Sequence, residues 1–479
     1  MTTNNIFYRI ATFLVLASIA WSCNVPEKVL LPVSQTLPDQ YEPLLATDST
    51  NIATISWRAY FDDPNLIALI DSALQNNQEL NILLQEIQVS QNEVLEREGE
   101  YLPFVRLGAG IGAEKPGRYT RAGAVEEQLD IEPEKAFPEP LGDFQLGAVA
   151  TWEVDIWRKL RNAKDAAQLR YLAATEGRNF LVTNLVAEIS ETYYELLALD
   201  NLLKIINDNL LLQQDALSKV KLQKENARAT QLAVNRFEAQ LLNTRNLQYA
   251  IKQQITEAEN RINFLAGRYP SEVARNPRSF MDMPLDSIQA GVPAELLANR
   301  PDIRQAEYEL AAANLDIDVA RADFYPRLDI TAGLGFQAFN PKFLASPESV
   351  VFNLAGDLMA PLINKKAIQA RYNMATAKQI QAVYAYEQTV LSAYTDLLNQ
   401  LNKLNNYSKS FDTKTAEVDI LNKSVSIANS LYRNARADYV EVLLTQEEVL
   451  DAKMELMETR LEQLQAKVAI YRTLGGGWR

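Results

Sequence analysis

Two stretches of the chain, residues 157–222 and 361–431, hold no proline after Pro361 and a single glycine, Gly177. Nothing inside them ends a helix. Each therefore reads as one helix of about 66 to 71 residues, roughly 100 Å long. A rod of that length far exceeds the width of a globular core, so few folds can use it. The stripe Leu185, Ile189, Tyr193, Leu196, Leu203, Ile206, Leu210 steps by threes, fours and a seven, a coiled-coil-like seam. A turn follows each rod, at Asn226–Thr230 and Asn434–Asp438, and then a return helix over 230–266 or 439–474.

The rods belong to an internal tandem duplication. Asn77-Gln78-Glu79-Leu80 aligns with Arg300-Pro301-Asp302-Ile303 at an offset of 223, which holds to Tyr101-Leu102-Pro103 and Phe324-Tyr325-Pro326. The offset becomes 206 where Asp155-Ile156-Trp157-Arg158-Lys159 meets Pro361-Leu362-Ile363-Asn364-Lys365, and 208 where Ala229-Thr230 meets Ala437-Asp438. Each half is expected to run helix, two strands, very long helix, turn, return helix. The first repeat spans 61–270, opening with a helix over 65–100 of about 35 residues, roughly 50 Å. The second spans 271–479 and opens with a helix over 295–322. The two shorter helices of the first half, end to end, match the length of the rod beside them.

Between the helices the period changes from 3.6 to 2. Strands are expected at 103–113, 143–152, 326–338 and 351–360. Val105, Leu107, Ala109, Ile111 and Ala113 alternate with Arg106, Gly108, Gly110 and Gly112. Phe144, Leu146, Ala148, Ala150 and Trp152 oppose Gln145, Gly147 and Thr151. Leu328, Ile330, Ala332, Leu334 and Phe336 alternate with Arg327, Asp329, Thr331, Gly333 and Gly335, and Phe352, Leu354 and Leu358 with Asn353 and Asp357. About ten residues of such alternation suit a transmembrane β-strand, apolar face to lipid and small or polar face to a lumen. An ordinary hairpin packed on a core is the plainer reading of one such pair; two in equivalent places favour the barrel.

Composition removes most other functions. There is no histidine, and Cys23 is the only cysteine, so the commonest general base and any Cys-cluster metal site are missing. A net charge of −14 disfavours nucleic acid as a partner. No catalytic residue, metal ligand or cofactor site is expected. Residues 1–22 read as an export signal: Arg9 is followed by the apolar run Ile10–Ala20, too short to span a bilayer. Ala20-Trp21-Ser22-Cys23 resembles a lipobox, which implies acylation of Cys23, although Trp21 is bulky for its place. Residues 23–60 then form an extended strap, with four prolines between Asn24 and Asn51. Removing residues 1–22 takes Arg9 away and leaves the chain one unit more negative.

Four strands cannot close a membrane barrel. An open sheet in hydrocarbon would leave backbone groups unpaired at both edges, at several kcal/mol each. Two copies would supply eight strands and a filled interior, whereas three would supply twelve and leave a lumen, which the inward glycines favour. The helices would continue that lumen as a hollow tube on one side, a conduit across an aqueous gap.

The chain also resembles a known family. Trp57-Arg58-Ala59-Tyr60-Phe61-Asp62-Asp63-Pro64-Asn65-Leu66 is similar to that family's W-x-x-[FY]-x-D-P-x-L opening. Trp152-Glu153-Val154-Asp155-Ile156-Trp157, Pro301-Asp302-Ile303 with Ala320 to Pro326, and Ala437-Asp438-Tyr439-Val440-Glu441-Val442-Leu443 resemble its repeat signatures. Tyr471-Arg472-Thr473-Leu474-Gly475-Gly476-Gly477-Trp478 resembles its ending. The family is the TolC-like outer membrane factors, in the NodT/OprM-like lipoprotein subgroup. The resemblance implies a mostly α chain with a transmembrane β-barrel: a homotrimer with a 12-stranded barrel in the outer membrane and an α-helical barrel through the periplasm. It implies as partners a periplasmic adaptor and an inner-membrane pump, usually of the resistance-nodulation-division class. The function implied is a passive exit duct; a lipid-anchored coiled-coil spacer or adhesin without a pore is the alternative.

The family's roles carry over in part. Its acidic and apolar periplasmic gate has no carboxylate to match within Ser424–Leu431, so Asp419 or Glu417 and the apolar Leu431 are the gate candidates. The turns Asn226, Ala227, Arg228, Ala229 and Asn434, Ala435, Arg436, Ala437 resemble the adaptor-contacting tips, with Ala227 and Ala435 where the family often has glycine. Tyr101, Trp152, Trp157, Phe324 and Tyr325 lie at strand–helix junctions and suit an interfacial girdle or junction packing. Glu114–Gly142 reads as a long outer loop that could narrow the mouth.

Overall fold

A computed structural model describes residues 25–33, 38, 52–277, 280–285, 293, 295–434 and 436–479. The export segment, Cys23, much of the strap and Ala435 lie outside the described residues. In chain order the main elements are α1 (Trp57–Tyr60), α2 (Pro64–Asn76), α3 (Gln78–Tyr101), β1 (Phe104–Glu114), α4 (Arg121–Glu126), β2 (Asp130–Glu132), β3 (Lys135–Ala136), β4 (Leu141–Val154), α5 (Lys159–Glu225) and α6 (Gln231–Leu265). There follow α7 (Glu295–Asn299), α8 (Pro301–Ala322), β5 (Arg327–Ala338), β6 (Val350–Met359), α9 (Lys366–Arg433) and α10 (Tyr439–Thr473). The rods α5 and α9 have 67 and 68 residues.

The chain divides into two compact units, each drawing equivalent stretches from both repeats. One comprises Met1–Val33, Gln88–Leu172 and Tyr308–Tyr384; the other comprises Ser34–Ile87, Ala173–Glu307 and Ala385–Arg479.

In the second unit the apolar seam of α5 is buried: Leu185, Ile189, Tyr193, Leu196, Ile206 and Leu210 join one core with Phe237, Ile251 and Ile262 of α6, and Leu203 packs against it. Each large side chain removed from water there contributes about 1.5–3 kcal/mol. The Tyr193 hydroxyl donates to Asp63 (2.8 Å), whose other oxygen accepts from the Asn65 N–H and starts α2. The sequence signatures at the two chain ends meet here. Tyr60 stacks on Tyr471 (4.0 Å), and the Tyr471 hydroxyl donates to the Ile55 carbonyl at 2.6 Å.

Both opening helices are broken where continuous helices were expected. The segment 65–100 splits at Asn77 into α2 and α3, and 295–322 splits at Arg300 into α7 and α8. Asn77 is extended; its side chain caps α3 by accepting from Leu80 N–H and donates to the Leu265 carbonyl at the end of α6 (2.9 Å). Arg300 stands at the equivalent place, followed by Pro301, and donates to the Thr473 carbonyl at the end of α10 (2.8 Å). Gly267 and Gly475 then take φ +65° and +89°. A Cβ on either would collide with the backbone oxygen of Asn76 or Asn299. The same lock thus occurs once per repeat.

The first unit holds a four-stranded antiparallel sheet in the order β1-β4-β5-β6. Register settles its faces, because cross-strand partners share one face. Gly108 pairs with Gly147, Gly147 with Gly335, and Gly335 with Val351; Thr151 pairs with Thr331, and Gly333 with Asn353. One face therefore collects Arg106, Gly108, Gly110, Gly112, Gly147, Gly333, Gly335, Asp143, Gln145, Thr151, Glu153, Asp329, Gln337, Asn353 and Asp357, with Phe104, Val149, Val351 and Met359 among them. The opposite face carries apolar residues and glycines alone. It is open to its surroundings: Leu107 is 81%, Ile111 85%, Phe352 81% and Leu354 77% exposed. Beyond the strands, the segment read as an outer loop contains α4 and the small β2–β3 pair.

A candidate conduit sheet, its elbows and the helix tips

β1 has 11 residues, about 37 Å of strand, which at a tilt near 40° crosses roughly 28 Å. That is close to a hydrocarbon core. β1 pairs only with β4 and β6 only with β5 among the described residues, so both outer strands keep a free edge. The polar face carries its charges at the two ends of the strands. At the loop end Asp143 accepts from Gln145 (2.6 Å) and Gln337 (2.8 Å). At the helix end Glu153 pairs across with Asp329 and Asp329 with Asp357, with Arg327 held to Asp329 at 2.8 Å. Between them the glycines leave the face low. A Cβ on Gly147 would stand 2.9 Å from the Gly335 Cα.

Each hairpin meets its rod through an elbow. In the first, Asp155 accepts from the Leu160 and Arg161 N–H groups (both 3.0 Å) and from the Arg161 guanidinium (3.1 Å). Burial pushes this carboxyl up, but those hydrogen bonds outweigh it and hold it below the ordinary carboxylate value. In the second elbow Pro361 occupies the equivalent place and offers no such cap. The backbone is nevertheless the same: Arg158 and Asn364 both take φ +58°. Asn tolerates that left-handed conformation; for Arg158 it costs about 1 kcal/mol.

The junction aromatics divide. Trp157 is 45% exposed, donates to the Pro326 carbonyl (2.8 Å) and stacks on Tyr325 at 4.4 Å. Trp152 donates to the Tyr101 carbonyl (3.1 Å). Phe324 is 3% exposed, packed edge-on against Tyr372 in a small core with Ile317 and Ala375. Of the two alternatives, girdle or junction packing, Phe324 takes the second.

At the tips, the chain reads Asn-Ala-Arg-Ala twice, at 226–229 and 434–437. Arg228 N–H donates to the Gln223 carbonyl (2.8 Å) and Arg436 N–H to the Leu431 carbonyl (2.9 Å), equivalent bonds that close both rods. Ala227 takes φ +53°, a place that favours glycine. Thr230 and Asp438 then cap the return helices. Of the gate candidates, Glu417 is held by Lys414 (2.8 Å), which also pairs with Glu455 of α10. Asp419 is exposed, with Asp412 one heptad earlier also exposed, and Leu431 is partly exposed. Sequence reading passed over Asp412, although its seven-residue spacing from Asp419 was there to find.

Residues 69–268 and 292–476 match the sequence model of the family described as outer membrane efflux protein. The pyoverdine export outer membrane protein OpmQ of Pseudomonas putida is 28% identical over 458 residues, covering 96% of this chain and 95% of that one. The cation efflux system protein CusC of Escherichia coli is 24% identical over 438 residues, covering 91% of each. Among solved structures, the outer-membrane channel OprN superposes with a TM-score of 0.82 at 24% identity, covering 94% of this chain and 98% of that one. With the match extending over both repeats, the chain belongs to the outer membrane efflux protein family.

Proposed function

We propose that the chain is one third of an outer-membrane exit duct of a tripartite efflux pump, conducting small molecules passively. One observation carries this reading: a sheet with a wholly apolar exposed face, an opposite face that holds all its charged side chains and most of its glycines, and two unpaired edges, joined to rods of 67 and 68 residues. Pairing β6 of one copy with β1 of the next removes every edge, and three copies make a twelve-stranded barrel wide enough for a lumen. Family membership and the named relatives, which export different cargoes, support a duct whose cargo is chosen by another chain.

Anchoring through Cys23 fits the strap that begins two residues later. Val25 packs on the core of Phe324 and Tyr372, the Tyr372 hydroxyl donates to the Glu27 carbonyl (2.7 Å), and Lys28 pairs with Asp318 (2.6 Å). The two Asn-Ala-Arg-Ala tips are the proposed adaptor contacts, and Asp419, rather than the ion-paired Glu417, the proposed gate carboxylate.

The test is conductance by the purified full-length protein in planar bilayers. Stepwise openings are expected, increased by Asp419→Ala. A protein that leaves membranes without detergent after Cys23→Ala, and never conducts, supports the spacer instead.

A further inference from the structure

The outer strands of the sheet carry side chains that nothing in their own chain answers. On β1, Arg106 lies opposite Val149 and over the Phe104 ring (5.8 Å). On β6, Asp357 lies opposite Asp329, a like charge already held to Arg327 at 2.8 Å. Neither Arg106 nor Asp357 has an ion-pair partner among the described residues. A Cβ on Gly108 would meet nothing within 4 Å, so packing inside the chain does not require that glycine. At the helix ends of the same two strands, Leu102 and Ile363 are 54% and 90% exposed.

The duplication supplies an answer. Inside the chain the two repeats meet where β4 pairs with β5, Trp157 stacks on Tyr325 (4.4 Å) and Lys159 of α5 holds Asp323 beside α8 (2.7 Å). Between copies, β6 and β1 stand in the places of β4 and β5. β1 and β5 open at Phe104 and Arg327, at the offset of 223. The elbow residues Arg158 and Asn364, both at φ +58°, keep the offset of 206. Under those offsets the two hairpins differ by two residues in register, since Phe104 faces Thr151 whereas Arg327 faces Met359. A seam slipped by two is therefore the competing arrangement.

We infer that copies join along a seam that repeats the junction between the two halves, setting Phe352, Asn353 and Asp357 opposite Ala113, Gly112 and Gly108 of the next copy. This rests on the trimeric-barrel reading above and adds its register. Apolar side chains then meet apolar ones, and Asn353 and Asp357 stand over glycines. The next copy's Arg106 becomes the diagonal neighbour of Asp357, a backbone separation of about 7–8 Å that a long side chain spans. Ile363 takes the place of Trp157 and covers the next copy's Leu102. The slipped seam would set Asn353 opposite Glu114 and Asp357 opposite Gly110, leaving Asp357 and Arg106 four residues apart.

Disulfide cross-linking of the full-length protein in outer membranes, oxidised with copper phenanthroline, provides the test. The variant N353C/G112C should close a covalent ring of three chains, read on a denaturing gel. N353C/G110C and N353C/E114C should close it about fivefold less, because a slip of two residues moves the Cβ atoms from about 5 Å to about 7 Å apart. The unsubstituted chain, with Cys23 alone, is the blank. Preferred closure through Gly110→Cys or Glu114→Cys overturns the seam and leaves the barrel in place. Cross-links from none of the three pairs would remove the barrel reading itself. Charge reversal gives a readout without cysteines. Arg106→Asp and Asp357→Arg should each lower the melting temperature of the oligomer by about 2–4 °C, and R106D/D357R should restore it. A double variant no better than either single one overturns the proposal.

Discussion

Leu107, Ile111, Phe352 and Leu354 in the sheet are more than three-quarters exposed, whereas Ile189, Tyr193, Leu196 and Leu197 of α5 are at most 1% exposed. The two sets are equally apolar and belong to one chain. What differs is how each arrangement disposes of its apolar surface. A heptad-like seam on α5 has α6 folded back beside it, so its side chains leave water within the chain. A strand alternating apolar residues with glycine has nothing of its own chain to lie against. The contrast teaches that this protein is built for two solvents, hydrocarbon around the sheet and water around the helical unit.

Substitutions can break or sharpen that contrast. The largest effect is expected in the helical seam, where Leu196→Ala should cost about 2–5 kcal/mol in denaturant unfolding; a cost below about 1 kcal/mol would mean the seam is not a packed core. Next is Phe352→Arg on the apolar face, expected to cost about 2–4 kcal/mol and read as lost recovery of membrane-inserted protein. Asn353→Arg, one residue along on the other face, should insert normally, and equal damage from both would erase the distinction between faces.

Smaller effects are expected at the rod ends. Asp155→Asn should cost about 1 kcal/mol at neutral pH through the cap of α5. Because the folded-state carboxyl lies below its ordinary value of 3.8, that stabilisation is present above this pH and fades as the pH falls below it. The gap between variant and native protein in a melting series should therefore close in acid; a constant gap from pH 3 to 7 would contradict the ionised cap. Smallest, Ala227→Gly should relieve the left-handed strain and stabilise the tip by about 0.5–1 kcal/mol, seen as slower hydrogen exchange at residues 222–230.

Much of this was legible because two periods and one offset are written plainly into the chain. Period 2 located the strands, the absence of Pro and Gly located the rods, and the offset of 223 aligned Asn77 with Arg300 before either was known to break a helix. The breaks themselves were missed because Asn77 alone is no stop signal. Its partner Arg300-Pro301 carries one, and reading Pro301 back across the duplication would have found both. Phe324 could not be assigned between girdle and junction packing for a different reason. An aromatic at a junction looks the same in sequence whether it faces lipid or, as here, Tyr372. The elbow conformation was hidden at Arg158, where the side chain argues against positive φ, and hinted at only by Asn364. Asp155 and Pro361 show how far equivalent positions can diverge while the backbone stays the same.

The central claim is that the two faces of the sheet meet different solvents, and thiol labelling in intact outer membranes tests it most directly. Phe352→Cys and Asn353→Cys are neighbours on opposite faces of β6, and a membrane-impermeant thiol reagent should modify only the second. The unsubstituted protein reports any labelling at Cys23. Equal labelling at both positions would show a sheet bathed in water on both faces, and would contradict the account.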